Sequence, residues 1–310
     1  MNWTAKNIPD LTGKKIIVTG ANSGLGYYTS LELARKNAMV IMACRNTDKA
    51  KKAESEIRQE VPEAKTEIRE LDLADLQSVK AFADLYAKEF NQLDVLINNA
   101  GLMAIPESKT RQGFEMQFGT NHLGHFALTG KLFSLLKKTN GSRVVTLSSL
   151  MYKRGKINFD DLNLEHKYDK WKAYGQSKLA NLMFALELDR RIKKNGLNVI
   201  SIGAHPGYSS TNLQIKGPEM TGSGIMAFFM KIVNALFAQS PQKGVLPQLY
   251  AAAADGLSGG EYIGPGGTGN IRGFPEKEKI NWNKVDMDVA KKLWEVSEEL
   301  TGVPFDFTTS

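Results

Sequence analysis

The chain has 310 residues, 42% of them hydrophobic and 24% charged, which is ordinary for a soluble protein and long enough for one large domain. Cys44 is the sole cysteine, which excludes an internal disulfide and a cysteine-based zinc site and suits a reducing, cytoplasmic compartment. The net charge of +7 implies a solvated basic surface or attraction to an anionic ligand such as a phosphorylated cofactor; no basic block argues for nucleic acid.

The first ten residues hold no apolar run, so neither a signal peptide nor an anchor is expected. Residues 14–20 are a β-branched run ending in glycine and predict a buried strand; 27–37 then predict a helix. Further strands are predicted over 39–43, 66–71, 93–97, 143–147 and 197–202. Helices are predicted over 48–60, 76–90, 112–138, 172–194 and 286–300, and a last strand with a loop within the glycine-rich 257–273. Such alternation predicts an α/β fold: a doubly wound, Rossmann-type parallel sheet of about seven strands with helices on both faces. No linker or repeat divides the chain, so 1–310 is read as a single domain.

Gly20-Ala21-Asn22-Ser23-Gly24-Leu25-Gly26 joins the first strand to the first helix. Glycines there let backbone approach a pyrophosphate, and the helix N-terminus offers N–H groups to it. Tyr174 and Lys178, four apart, share one helix face. With Asn98-Asn99-Ala100-Gly101 and the pair Ser148-Ser149, these motifs occur in the order and spacing of the short-chain dehydrogenases/reductases, which the chain resembles from about residue 11 to 211.

The resemblance implies a nicotinamide cofactor. Its binding residues would be Gly20, Asn22, Ser23, Gly24, Leu25, Gly26, Asp72, Leu73, Asn98, Ala100, Gly101, Tyr174, Lys178, Pro206, Gly207 and Thr211. At the end of the second strand, where an acid would bind the ribose hydroxyl of NAD, residues 39–46 contain none. Arg45 stands there instead and suits the extra phosphate of NADP(H).

Carbonyl reduction needs a hydride, a proton and stabilisation of the oxygen. A tyrosine titrates near 10, and a neighbouring ammonium favours its phenolate. By resemblance Tyr174 is the general acid or base, Lys178 lowers its pKa and holds the ribose, and Asn121 serves a proton relay; as a polar residue in mid-helix Asn121 also reads as relieving a helix irregularity. Ser149 orients the carbonyl, with Ser148 the alternative because adjacent residues at a strand end point apart. His122 and His125 read as packing or hydrogen-bonding residues, since no third ligand stands at metal spacing. His205 precedes Pro206-Gly207 in a loop that faces the site in the family.

Tyr174 follows Ser149 by 25 residues, about twice the gap of short members, so a loop of about 152–171 is inserted. Together with the phrases at 42–46, 120–125 and 177–181, it resembles the retinol-dehydrogenase-like and protochlorophyllide-reductase-like branch. The chain departs from it in that no membrane anchor is expected and Cys44 is the sole cysteine. The apolar stretch 224–238, interrupted by Lys231 and Asn234, is too short to span a membrane. It reads as a core helix, an interfacial helix or part of a substrate lid over about 208–238. The expectation is an NADP(H)-dependent oxidoreductase acting on an apolar aldehyde, ketone or alcohol. A catalytically silent NADP-binding sensor or scaffold is the alternative. A sugar epimerase or dehydratase is disfavoured by its different glycine spacing. Many relatives pair through the helices bearing Asn121 and Tyr174, so a homodimer is a further expectation.

Overall fold

A computed structural model describes residues 2–208 and 239–308. Strands β1 (Lys15–Thr19), β2 (Met39–Cys44), β3 (Lys65–Glu70), β4 (Val95–Asn98), β5 (Ser142–Leu147), β6 (Val199–Ala204), β7 (Tyr262–Pro265) and β8 (Pro275–Lys277) form one sheet. Their order is β3-β2-β1-β4-β5-β6-β7-β8, and only the β7–β8 pair is antiparallel. Among the described residues the sheet thus has eight strands instead of about seven. The extra one spans three residues and opens with proline, too short for any periodicity and confined to an edge where a missing N–H is tolerated. β1 and β4 are buried almost throughout because helices cover both faces.

On one face lie α1 (Gly24–Ala34), α2 (Thr47–Glu60) and the short α7 (Pro241–Gly244) and α8 (Leu246–Ala253). On the other lie α3 (Leu76–Glu89), α5 (Gly124–Lys138) and α6 (Lys170–Lys194). Side-chain caps set several starts: Asn46 for α2, Asp75 for α3 and Asp169 for α6. The chain doubles back in sheet order between β1 and β4, which opens a crevice at the carboxyl ends of the strands.

The helix expected over 112–138 is not continuous. It begins as the single turn α4 (Met116–Phe118), widens into a π turn over Gly119–Leu123, and resumes as α5. Gly124 N–H bonds the Gly119 carbonyl, five residues back rather than four. The inserted loop carries a 3₁₀ turn (Leu150–Arg154) and packs against residues 105–118. There the Tyr168 hydroxyl donates to the Ile105 carbonyl at 2.9 Å, and Asn163 accepts from Glu115 N–H at 2.9 Å. Thr211, nearly all of the expected lid and the stretch 224–238 lie outside the described residues.

The last helix, α9 (Met287–Thr301), is capped by Asp286 and lies across α5 and α6. Trp294, 2% exposed, packs at 5.0 Å from Phe126, 5.8 Å from Phe184 and 4.5 Å from Phe305, and Phe307 adds a ring on Phe133. Ser297 reaches the π turn itself, 2.9 Å from His122 Nε2. Trp294→Ala therefore removes a buried ring at the junction of three helices and should cost about 3–5 kcal/mol in urea unfolding; a loss below about 1 kcal/mol would show that α9 is peripheral.

Candidate functional site

The turn after β1 runs close to the loop after β4. Gly20 has φ +66°, and a Cβ on it would sit 3.0 Å from the Ala100 Cβ. A Cβ on Gly26 would stand 2.2 Å from the Gly20 carbonyl, so only glycine lets the first turn of α1 close there. Thr19 fixes the approach. Its hydroxyl oxygen accepts from Asn99 N–H at 2.9 Å and Ala100 N–H at 3.0 Å, while the Asn99 amide donates to the Thr19 carbonyl at 2.7 Å.

Two cavities share the wall made by Gly20, Asn22, Ala100, Gly101 and Leu102 and form one trough. In one direction it runs past the N-terminus of α1, from Asn22 to Gly26, to Tyr174, Lys178 and Pro206. In the other it reaches Arg45, Asn46, Lys49, Asp72 and Leu73. Arg45 is 67% exposed along its side chain and 3.9 Å from Asp72. Lys49 stands in the first turn of α2, where Asn46 accepts its backbone N–H at 2.8 Å. The two cations give that end of the trough a positive rim.

At the other end, Tyr174 is 7% exposed and Lys178 5%. Burial pushes the Tyr174 phenol up to about 12, opposed by a hydrogen bond from the Ser149 hydroxyl. Burial lowers the Lys178 ammonium to about 8. The expected depression of the phenol by Lys178 is thus not what governs this arrangement. The ammonium lies 5.7 Å from the Tyr174 ring centroid and donates to the Leu147 carbonyl at 3.2 Å, so desolvation outweighs it. Among the described residues no carboxylate pairs with Lys178.

The serines point apart. The Ser148 hydroxyl donates to the Lys178 carbonyl at 2.6 Å and ties α6 to the end of β5, although Ser148 also forms part of the trough wall. Ser149 caps the 3₁₀ turn, accepting from Met151 N–H at 3.3 Å, and faces the phenol. Asn121 is fully buried behind Gly101. Its amide accepts from Leu102 N–H at 2.7 Å and donates to the Leu102 carbonyl and to the Ser177 hydroxyl, both at 2.9 Å. A Cβ on Gly101 would lie 3.1 Å from the Asn121 Oδ1 and 3.5 Å from the Lys178 Nζ, so both groups converge behind that glycine.

Not every expected residue lines the trough. Asn98 is buried in the core, its amide donating to Thr129 at 3.0 Å, and its place is taken by Asn99, which faces the other way. Gly207, with φ +65°, is not on the wall but packs under the Ile271 carbonyl. His205 bonds Glu278 at 2.5 Å and accepts from Gly207 N–H at 3.1 Å, which braces that loop. Lys49, Leu102 and Thr120 are lining residues that motif matching passes over. For Lys49 a signal existed: it follows Arg45 by four residues across a helix start, so both reach the same rim. His122 and His125 are each 1% exposed and hydrogen-bonded, and burial pushes them down to about 3 and about 4.

A profile of the family described as short chain dehydrogenase matches residues 14–221. Retinol dehydrogenase 14 of Mus musculus is 42% identical over 303 residues, covering 94% of this chain and 86% of that protein. A crystal structure of an uncharacterized protein from Mycobacterium paratuberculosis superposes with a TM-score of 0.81 at 41% identity, over 99% of this chain and 100% of the other. A short chain dehydrogenase from Shigella flexneri complexed with NADP shares the fold, with a TM-score of 0.63 at 23% identity over 82% of this chain and 97% of that one. A glycine turn held against the loop after β4, a buried tyrosine–lysine pair at the end of the same trough, and relatives matched along nearly the whole chain place this protein among the short-chain dehydrogenases/reductases, in their retinol-dehydrogenase-like branch.

Proposed function

We propose that the protein is an NADP(H)-dependent oxidoreductase that interconverts an apolar aldehyde or ketone and its alcohol, with Tyr174 as general acid and base. The observation that carries this reading is Lys178, a buried ammonium with no acidic partner among the described residues, beside a buried phenol. Uncompensated burial of a charge is costly, and a scaffold or sensor would have no use for it. When bound, the cofactor supplies the hydride.

The chain's own residues do the rest. The N-terminus of α1 and the backbone of 20–26 suit a pyrophosphate, and the Arg45–Lys49 rim suits a further phosphate, which favours NADP(H) over NAD(H). Tyr174 donates its proton to the carbonyl oxygen in reduction and takes it back in oxidation. Ser149, already bonded to the phenol, orients that oxygen. Lys178 becomes the electrostatic partner of the phenolate that forms, and Asn121 holds the Leu102 backbone beside it. Pro206 and Gly207 lead into the substrate side, where Thr211 and the lid are assigned by family position. The names of the retinol dehydrogenase relatives make a retinoid alcohol or aldehyde the first apolar substrate to try. No helix among the described residues is long and apolar enough to cross a membrane, and the lone buried Cys44 suits a cytoplasmic setting. Because α9 covers the outer face of α5 and α6, a homodimer would use another surface.

A panel of aldehydes and ketones, retinaldehyde included, followed by NADPH absorbance tests the reading. Tyr174→Phe should lower turnover by roughly 10²–10⁴-fold while NADPH still binds in a calorimetric titration; unchanged turnover would remove Tyr174 from the chemistry. Arg45→Ala should weaken NADPH binding by roughly 10–100-fold, the worth of a charge-assisted contact, and leave NADH binding nearly as it was; equal losses for both would refute phosphate recognition.

Burial of Lys178 also has a sign that stability measurements can read. Its folded value of about 8 lies below the ordinary 10.5, so the folded state gives up this proton first. Below about pH 8 both states carry the charge and the desolvation penalty is fully present. Between about 8 and 10.5 the folded lysine is neutral, and the penalty is relieved. Lys178→Met should therefore stabilise the cofactor-free protein by roughly 3 kcal/mol at pH 7 and by clearly less at pH 9.5. A variant less stable than wild type at pH 7 would contradict the penalty.

A further inference from the structure

His125 occupies the first turn of α5, directly after the π turn, and is 1% exposed. Its ring lies between two elements of the trough. Nδ1 is 2.9 Å from the Asn121 carbonyl oxygen, and Nε2 is 2.9 Å from the Thr19 hydroxyl oxygen. The partners decide where the proton sits. A carbonyl can only accept, so Nδ1 carries the hydrogen. The Thr19 oxygen already accepts from Asn99 N–H and Ala100 N–H, which uses both its lone pairs. Its own hydrogen can go to Nε2 at 2.9 Å or to the Ile97 carbonyl at 3.3 Å. The nearer partner is the bare ring nitrogen. Only the neutral Nδ1–H tautomer satisfies this set. An imidazolium would press a third donor on Thr19, in a place where burial and the Lys178 charge already oppose protonation.

The consequence is geometric. The Asn121 main chain is tied through one ring to the end of β1 and to the backbone of Asn99 and Ala100, which form the trough wall. The Asn121 side chain is tied separately to Leu102 and Ser177, and it converges with Lys178 behind Gly101. A wide π turn has fewer constraints than an α-helix of the same length, so the side chain of the fourth residue on supplies one.

We propose that His125 is a positioning residue of the active site: as the neutral Nδ1–H tautomer it clamps the Asn121 carbonyl to Thr19 and so fixes the wall at Ala100–Gly101 against Lys178. It touches neither substrate nor reacting atoms. The inference rests on the reading of Tyr174 and Lys178 as the reacting pair.

The test uses the full chain with NADPH bound. His125→Phe keeps the ring volume and removes both hydrogen bonds; His125→Asn places an amide N–H near the position of Nδ1. His125→Phe should lower kcat by roughly 10–100-fold, as loss of a supporting hydrogen-bond partner does, with NADPH affinity and circular dichroism close to wild type. His125→Asn should recover part of kcat. Wild-type kcat in His125→Phe, or no difference between the two variants, overturns the proposal. Nitrogen-15 NMR of the imidazole provides a readout that needs no turnover: the clamp requires a protonated Nδ1 and a bare Nε2 at pH 7. An Nε2–H tautomer or an imidazolium there overturns it. If wild type turns over no substrate, the oxidoreductase reading fails, and the tautomer still decides whether the clamp exists.

Discussion

The structure depends on how closely the backbone after β1 can approach the backbone after β4. The crevice of a doubly wound sheet exists wherever strand order reverses, but a crevice becomes a binding trough only if its walls are held at a fixed separation. Here one side chain does much of the holding. The Thr19 hydroxyl accepts two backbone N–H groups from the opposite loop, and glycine at 20 and 26 removes the atoms that would push the loops apart. Everything further along the trough, from the cationic rim at Arg45 to the phenol of Tyr174, inherits its position from that contact.

Charge is distributed along the trough in a way that fits its length. The cations at one end are exposed, where a solvated guanidinium costs little to maintain and is free to meet an anion. The cation at the other end is buried with a carbonyl for a partner, so its field acts over a short distance through low-dielectric surroundings. Exposed charge suits recognition; buried charge suits altering the reactivity of a neighbour. The two ends therefore differ physically as well as in sequence.

Much of this was legible in the sequence because it is local. Glycine spacing after a β-branched run, and tyrosine and lysine one helical turn apart, are patterns within eight residues, and the backbone translates them directly into geometry. The choice between Asn98 and Asn99 was not legible by motif position. Strand alternation sends adjacent side chains to opposite faces, and the phase is set by which one the core Thr129 accepts. The polar Asn121 hints at a helix irregularity, but the kind and extent of the π turn at Gly119–Leu123 stay hidden for a related reason. Apolar spacing is compatible with a continuous helix, and one extra residue in a turn is revealed only by where the hydrogen bonds go. β8 leaves no trace in the pattern because three residues carry no period. Spacing gives the proximity of Lys178 to Tyr174 but not their desolvation, and burial is what governs both groups.

One contact also bears on how the molecule comes into being. Ser297 meets His122 across 175 positions of sequence, and the rings of Trp294 and Phe305 close over Phe126 and Phe184. Chain leaving the ribosome can pair β1 with β2 and cover them with α1 early, since those contacts are near in sequence. The π turn that presents Asn121 has no such early partner on its outer side. Its aromatic underlay arrives only when residues 294–305 have been made, and the face under α1 likewise waits for α7 and α8, whose Gln248 bonds Thr29, so both ends of the trough close only late in synthesis.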